Sequence, residues 1–260
     1  MTLPYAIALF FAAMLGGGLN SVAGGGSFIT FPTLIFTGVP GIQANATSTV
    51  ALWPGSVASI GAYRHEYGKQ RTLLAMLGVV SLIGGVLGAL LLLHTPQKTF
   101  VRLIPYLLLA ATLLFAFGGR ITRWLHARSG KKIADDGTPG YSWRALAGIA
   151  AFQLLVATYG GYFGGGIGIV MLAMMALIGM ENILAMNALK VVLQTCINGV
   201  AVITFAIAGA VMWPQAIVMV VGAIIGGYGA ATIARRLDQR WVRAFVIAVG
   251  IGMTIYFFVQ

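Results

Sequence analysis

One lysine stands where a lysine is expensive. Lys190 interrupts an apolar stretch roughly two turns after Glu181-Asn182, a natural helix start. A charge at the centre of a membrane helix costs about 2.5–3.5 kcal/mol on insertion scales, so it is expected to face protein or water rather than lipid. Advancing at about 100° per residue, Asn187, Lys190, Gln194 and Asn198 stand at about 0°, −60°, −20° and +20°, on one face. Such a polar stripe on an otherwise apolar helix reads as the lining of a wet cavity. An earlier helix carries a neutral version in Asn45, Ser48, Ser56 and Ser59, with Thr47 and Thr49 alongside. Two glycine triplets, Gly24-Gly25-Gly26 and Gly164-Gly165-Gly166, each precede a short apolar segment. Backbone N–H groups left open at a helix start favour anions. Together with a buried cation, they point to a small anion as the ligand. Competing readings stay open. Lys190 could snorkel to headgroups or pair with Glu181, and the amides and hydroxyls could only join helices. The triplets could serve close packing, the role expected of Gly84-x-x-x-Gly88 and Gly222-x-x-x-Gly226.

Other chemistries find little support. All five acids, Glu66, Asp135, Asp136, Glu181 and Asp238, fall outside the expected spans. No carboxylate is then available in the bilayer to chelate a cation or relay protons. Neither triplet runs on into Gly-Lys-Ser/Thr, which excludes a nucleotide P-loop. His65, His94 and His126 are spread over expected loops, and the single cysteine, Cys196, excludes an internal disulfide or a cysteine-based metal cluster. There is no Gly-x-Ser-x-Gly elbow and no His-Glu-x-x-His. No metal, no cofactor and no enzymatic activity are expected.

The elements that must position these residues follow from composition. Of 260 residues, 59% are apolar and 8% charged, against about 25% charged in a soluble domain. The mean hydropathy is +0.94. Residues 1–63, 73–93, 103–119, 145–180, 191–234 and 244–260 contain no Lys, Arg, Asp or Glu. A span needs about 20 apolar residues, so the chain is polytopic. The net charge of +11 resides mostly in Arg64–Arg71, Arg120–Arg144 and Arg235–Arg243. That is the pattern of cytoplasmic loops under the positive-inside rule, not of a nucleic-acid surface. The N-terminal stretch lacks a basic leader and runs on into apolar sequence, so it is expected to be a first span rather than a cleaved signal.

The chain repeats itself. Gly24-Gly25-Gly26 recurs as Gly164-Gly165-Gly166, Asn45-Ala46 as Asn187-Ala188, Ile83-Gly84-Gly85 as Ile225-Gly226-Gly227, and Phe100-Val101-Arg102 as Trp241-Val242-Arg243. The offsets of 140, 142, 142 and 141 keep register through the whole unit. The expected organisation is a repeat over 1–119, a cytoplasmic linker over 120–142 and a second repeat over 143–260. Expected helices are 3–22, 28–38, 43–63, 72–93 and 101–118, then 144–162, 168–180, 183–209, 212–234 and 242–258. Segments 28–38 and 168–180 are too short to span alone. Half-helix, re-entrant and oblique-crossing readings all remain. If they re-enter so that each half crosses an even number of times, Arg64–Arg71 and Arg235–Arg243 lie on opposite faces. An odd number puts all three basic clusters in the cytoplasm and both termini outside, with only Lys98 and Arg102 objecting. The odd count, hence inverted halves, agrees better with the charges. The fold class is all-α integral membrane, in two inverted-topology repeats of about eight full spans plus two short segments. Inverted repeats with broken helices are the pattern of secondary transporters, with the site near the midplane.

Asn20-Ser21-Val22-Ala23-Gly24-Gly25-Gly26-Ser27-Phe28, followed by Phe31-Pro32 and Asn45-Ala46-Thr47, resembles the opening signature of the TauE/SafE sulfite-exporter family. Gly164-Gly165-Gly166-x-Gly168 with Met186-Asn187-Ala188-Leu189-Lys190 is similar to that family's second repeat. The resemblance covers roughly residues 5–258. It implies a carrier in the bacterial inner membrane that moves sulfite, sulfonates or related sulfur-containing anions, often by export. Carried over by position, Gly24, Gly25, Gly26, Asn45, Thr47, Gly164, Gly165, Gly166, Asn187 and Lys190 would border the permeation site. Ser48, Gln194 and Asn198 join them from the polar faces. Lys190 aligns with the neutral Ser48, so the site is expected to be asymmetric, and protonation of Lys190 offers a coupling to the proton gradient. An anion channel and a non-transporting subunit of a membrane complex are the alternatives. Small-xxx-small motifs would also suit a homo-oligomer.

Overall fold

The computed structural model describes residues 1–22, 25–62, 71–128, 143–180, 182–233 and 239–259. Among them are ten helices and no strand: α1 Leu3–Val22, α2 Ser27–Phe36, α3 Gly41–Ala62, α4 Arg71–His94, α5 Gln97–Arg128, α6 Trp143–Tyr162, α7 Ile167–Leu177, α8 Ile183–Ile207, α9 Trp213–Ile233 and α10 Gln239–Val259. Helix is forced on such a chain, because hydrocarbon offers no partner for an open N–H or C=O. Four segments, Leu3–Asn20, Arg71–His94, Gln97–Gly118 and Ala185–Ile207, are long and apolar enough by length and composition to cross a membrane. Large apolar side chains such as Leu91, Ile203, Ile207 and Ile217 point outward, the arrangement of a protein whose solvent is lipid.

Most helix limits fall within a few residues of those read from the sequence. Two differ instructively. Helix α5 continues to Arg128, well into the stretch expected as linker, because hydropathy marks where the bilayer stops and not where the helix stops. His94 is the last residue of α4 rather than a loop residue, with Nδ1 2.8 Å from the Leu90 carbonyl, and His126 lies within α5. Gly24, His65, the five acids, residues 129–142 and Arg235–Asp238 lie outside the described residues.

Contacts fix the direction of each helix. The Ile42 N–H donates to Gln97 Oε1 at 3.3 Å, the Met212 N–H to Thr47 Oγ1 at 3.0 Å, and the Tyr162 hydroxyl to Thr95 Oγ1 at 3.4 Å. The rings of Phe36 and Tyr256 meet at 5.0 Å. These residues define one end of the bundle, where α2, α4, α6, α8 and α10 end and α3, α5 and α9 begin. At the opposite end, Leu73 and Leu77 of α4 cluster with Met174 of α7, Ile178, Met180 and Ala185 of α8. Glycines carry the closest crossings. Gly222-x-x-x-Gly226 of α9 lies on the backbone of Phe10 and Met14, and Gly84-x-x-x-Gly88 of α4 on Leu154, Ala157 and Thr158. Residue numbers rise together across both crossings, so α1 runs parallel to α9 and α6 parallel to α4.

The short helices turn back. Gly26 sits against the Gly16 carbonyl and Asn20, and α2 returns to the end from which α1 came. Gly160 likewise packs on Ile167, and α7 returns along α6. Each pair is a hairpin entering the bundle from one end, α1–α2 from the first and α6–α7 from the opposite one. Each half is left with three further helices and an odd net count, so both chain ends lie at one end of the bundle and the α5–α6 connection at the other. The re-entrant reading and the odd count thus occur together. Most of the packing also survives exchange of α1–α5 for α6–α10, the α3–α5 contact excepted. Helix pair α1–α9 becomes α6–α4, α4–α8 becomes α9–α3, and α5–α7 becomes α10–α2, all present, while α3–α8 and α5–α10 map onto themselves.

Candidate functional site

Each hairpin turns on glycine because the turn needs backbone that other residues adopt poorly. Gly25 has φ +119°, Gly164 +79° and Gly166 +77°, whereas Gly26 is right-handed at −55°. In the second hairpin, the Phe163 and Gly164 N–H groups both donate to the Tyr159 carbonyl, at 2.9 and 3.3 Å, closing α6. The Ile169 N–H then donates to the Gly166 carbonyl at 3.1 Å, opening α7. The N–H groups of Ile167 and Gly168, at the start of α7, have no hydrogen-bond partner among the described residues.

The two tips meet at a cavity of about 60 Å³, bounded by Asn20, Gly25 and Ser27 from the first hairpin, Gly164–Gly168 from the second, and Lys190 and Gln194 of α8. At roughly 15 Å³ per water, that is space for about four waters or one small oxyanion. Phe115, Ile169 and Leu172 supply the apolar wall. Lys190 is the single charged side chain of the lining among the described residues. Its Nζ donates to Asn187 Oδ1 at 3.0 Å, one turn back on the same face, which leaves ammonium protons for a ligand. The absence of a side chain at residue 168 makes this possible. A Cβ there would stand 3.2 Å from Lys190 Cδ and 3.3 Å from Gln194 Oε1.

The remaining sequence candidates are placed elsewhere. Asn45 Nδ2 donates to the Tyr162 carbonyl at 3.1 Å, tying α3 to the end of α6. Thr47 accepts the Met212 N–H. Ser48 Oγ lies 2.6 Å from Thr30 Oγ1, between α3 and α2. Asn198, one turn beyond Gln194, is half-buried and outside the cavity lining. Gly26 precedes α2 and faces α1 rather than the cavity.

The sequence profile described as Sulfite exporter TauE/SafE matches residues 9–257. The chain belongs to that family. A probable membrane transporter protein of Haemophilus influenzae is 27% identical over 248 residues, covering 95% of this chain and 91% of the relative. Probable membrane transporter protein ORF9 of Sinorhizobium sp is 28% identical over 252 residues, covering 95% and 90%. Probable membrane transporter protein YfcA of Escherichia coli K12 is 27% identical over 251 residues, covering 95% and 87%. No solved structure matches. The TauE/SafE chain is a multi-pass membrane transporter and not an enzyme.

In this TauE/SafE transporter the cavity also recruits residues that were not singled out for the site. Asn20 lies in the last turn of α1, where its Nδ2 donates to Ser56 Oγ at 3.3 Å, and Ser27 opens α2. Both flank the first triplet, so a polar residue on either side of a glycine break was the available signal. Gly168 had a signal too, a fourth glycine one residue beyond the second triplet. Phe115, Ile169 and Leu172 had none, since an apolar residue in a membrane helix reads alike whether it meets lipid, core or cavity.

Proposed function

We propose that this protein is a secondary transporter of a small sulfur-containing oxyanion, sulfite or a sulfonate, working by alternating access. The observation that carries the reading is the cavity where both hairpin tips converge on Lys190, with open N–H groups of α7 beside it. A tetrahedral or pyramidal oxyanion presents several acceptor oxygens and at least one charge. The N–H groups of Ile167 and Gly168, the Gln194 amide, the Ser27 hydroxyl and the Lys190 ammonium supply matching donors. Charge-assisted hydrogen bonds are the strong ones. The Lys190 ammonium in the described lining favours an anion over a cation. The family description supports a sulfur oxyanion and export.

The two halves are read as inverted repeats, each contributing one hairpin from its own side. Rocking one half against the other would then expose the shared cavity to either face, as in other inverted-repeat carriers. The bundle end that carries the α5–α6 connection is assigned to the cytoplasm of a bacterial inner membrane, and both termini to the periplasm, by the basic residues of 120–144. Lys190 can exchange a proton as it binds and releases the anion, which would link transport to the proton gradient. Asn45 and Ser48 hold the hairpins in place, and Thr47 holds the turn between α8 and α9.

Flux of labelled sulfite into proteoliposomes tests the reading, with sulfate, sulfoacetate and chloride as competitors. The expected result is saturable uptake with counterflow, blocked by one sulfur anion and little affected by chloride. Linear, non-saturating flux would make the protein a channel. No flux from folded protein would remove the anion assignment.

A further inference from the structure

We infer that Tyr159 is the positioning residue that gives the second hairpin its anion-binding polarity, an inference resting on the anion reading above. The Tyr159 hydroxyl donates to the Gly165 carbonyl at 2.7 Å, while its own carbonyl accepts from Phe163 and Gly164. One residue thus grips three successive residues of the tip, Phe163 and Gly164 through its carbonyl and Gly165 through its hydroxyl. The tip needs gripping. Three successive glycines allow a peptide plane to flip at little steric cost, and two flips differ in which group they offer the cavity. In a trans peptide the C=O and N–H point in opposite directions, and there is no cis bond among the described residues.

Gly165 and Gly166 both line the cavity, whereas Tyr159 does not. Drawing the Gly165 carbonyl onto the α6 hydroxyl turns the N–H of Gly166 the other way, toward the ligand and in line with those of Ile167 and Gly168. Without the hydroxyl, that carbonyl is a buried acceptor lacking a partner, free to swing toward the anion and repel it. The first hairpin is held differently, by the Thr30 hydroxyl donating to the Gly26 carbonyl at 3.2 Å. At the offset of 140 between the triplets, Tyr159 corresponds to Leu19, which has nothing to donate. The Tyr159 hydroxyl belongs to the second hairpin, and the Lys190 ammonium to α8 of the same half.

Tyr159→Phe keeps the ring and removes the hydroxyl. Labelled sulfite uptake is measured over a range of concentrations for the parent and the variant in matched proteoliposomes. The sulfite-dependent rise in thermal midpoint is followed on the same purified proteins. The half-saturating sulfite concentration is expected to rise about tenfold, the loss of one well-aimed hydrogen bond, with the maximal rate within about twofold of the parent. The thermal titration should shift to higher sulfite by the same factor. Unchanged half-saturation in both measurements, or a fall in maximal rate alone, would overturn the role of Tyr159 and leave the anion site standing. A parent protein that neither transports nor is stabilised by sulfite would overturn the anion reading and this inference together.

Discussion

Aligned by their glycine triplets, the two hairpins each join a long helix to a short one, yet they differ in the handedness of the turn, Gly26 at φ −55° against Gly166 at +77°, and in almost every side chain that meets the cavity. At an offset of 140, Gly168 corresponds to Phe28 and Tyr159 to Leu19; at 142, Lys190 corresponds to Ser48 and Gln194 to Leu52. Where the second hairpin leaves space at Gly168 for a lysine and an amide, the first fills it with a buried ring, Phe28, packed edge-on to Phe115 at 6.2 Å. Where Lys190 reaches the cavity, Ser48 bonds Thr30 of the neighbouring short helix. The surroundings differ as well. Helix α2 sits among rings, with Phe31 meeting Phe163 at 5.7 Å and Phe100 at 6.5 Å. Helix α7 sits in a bed of thioethers, its own Met171, Met174 and Met175 beside Met180 and Met186. Edge-to-face rings are directional, whereas methionine adapts to irregular neighbours. Repetition supplies two tips meeting at one place, and in the proposed reading side-chain divergence makes one the anion pole and the other its rigid wall.

The largest expected effect separates Lys190 from Ser48. Lys190→Ala should reduce sulfite uptake about 100-fold, the equivalent of a charge-assisted contact of about 3 kcal/mol. Ser48→Ala should stay within about twofold, because Thr30 keeps a second acceptor in the Gly26 carbonyl at 3.2 Å. Comparable losses from both would mean that the halves share the charge chemistry after all. Next in size is Gly168→Leu, which puts in the second hairpin the kind of bulk that Phe28 gives the first. Uptake should fall about tenfold or more, because the side chain takes the space that Lys190 and Gln194 use, and overpacking of about 1–3 kcal/mol should lower the detergent unfolding midpoint as well. Phe28→Ala should do the reverse, losing about 3–5 kcal/mol of stability in an unfolding assay. The smallest effect belongs to the turn. Gly166→Ala forces a left-handed alanine, which costs about 1–2 kcal/mol, so the unfolding midpoint should drop by a few degrees. The strain argument does not extend to Gly26, which is right-handed.

Much of the scaffold was legible because the bilayer imposes a simple code. Charge-free runs gave the helices, and glycine gave the breaks before α2 and α7. The direction of those short helices was not legible, since ten or eleven apolar residues state a length of about 15 Å and not a heading. The reversal shows only in tertiary contacts, of Gly26 with Gly16 and of Gly160 with Ile167. At the site, Lys190, Gln194 and the second triplet stood out because polar and flexible residues are costly in lipid and need a reason. The same signal was ambiguous at Asn45, Thr47 and Ser48. A polar group in a membrane helix announces that it has a partner, but the partner can be a backbone or a hydroxyl of the protein as well as a ligand. Asn45 found the Tyr162 carbonyl and Thr47 the Met212 N–H, pairings that depend on helices more than a hundred residues away in the chain.

The central claim, that both hairpins bound a single anion site, is open to one direct measurement. In a Cys196→Ser background, cysteine is placed singly at Ser27, on the first hairpin, and at Leu172, on the second. The rate of labelling by an anionic, membrane-impermeant thiol reagent is then recorded as sulfite is added. The account predicts that sulfite protects both positions with the same half-maximal concentration, because one bound anion occupies the space they share. Protection at Leu172 without protection at Ser27, or two different half-maximal concentrations, would contradict it.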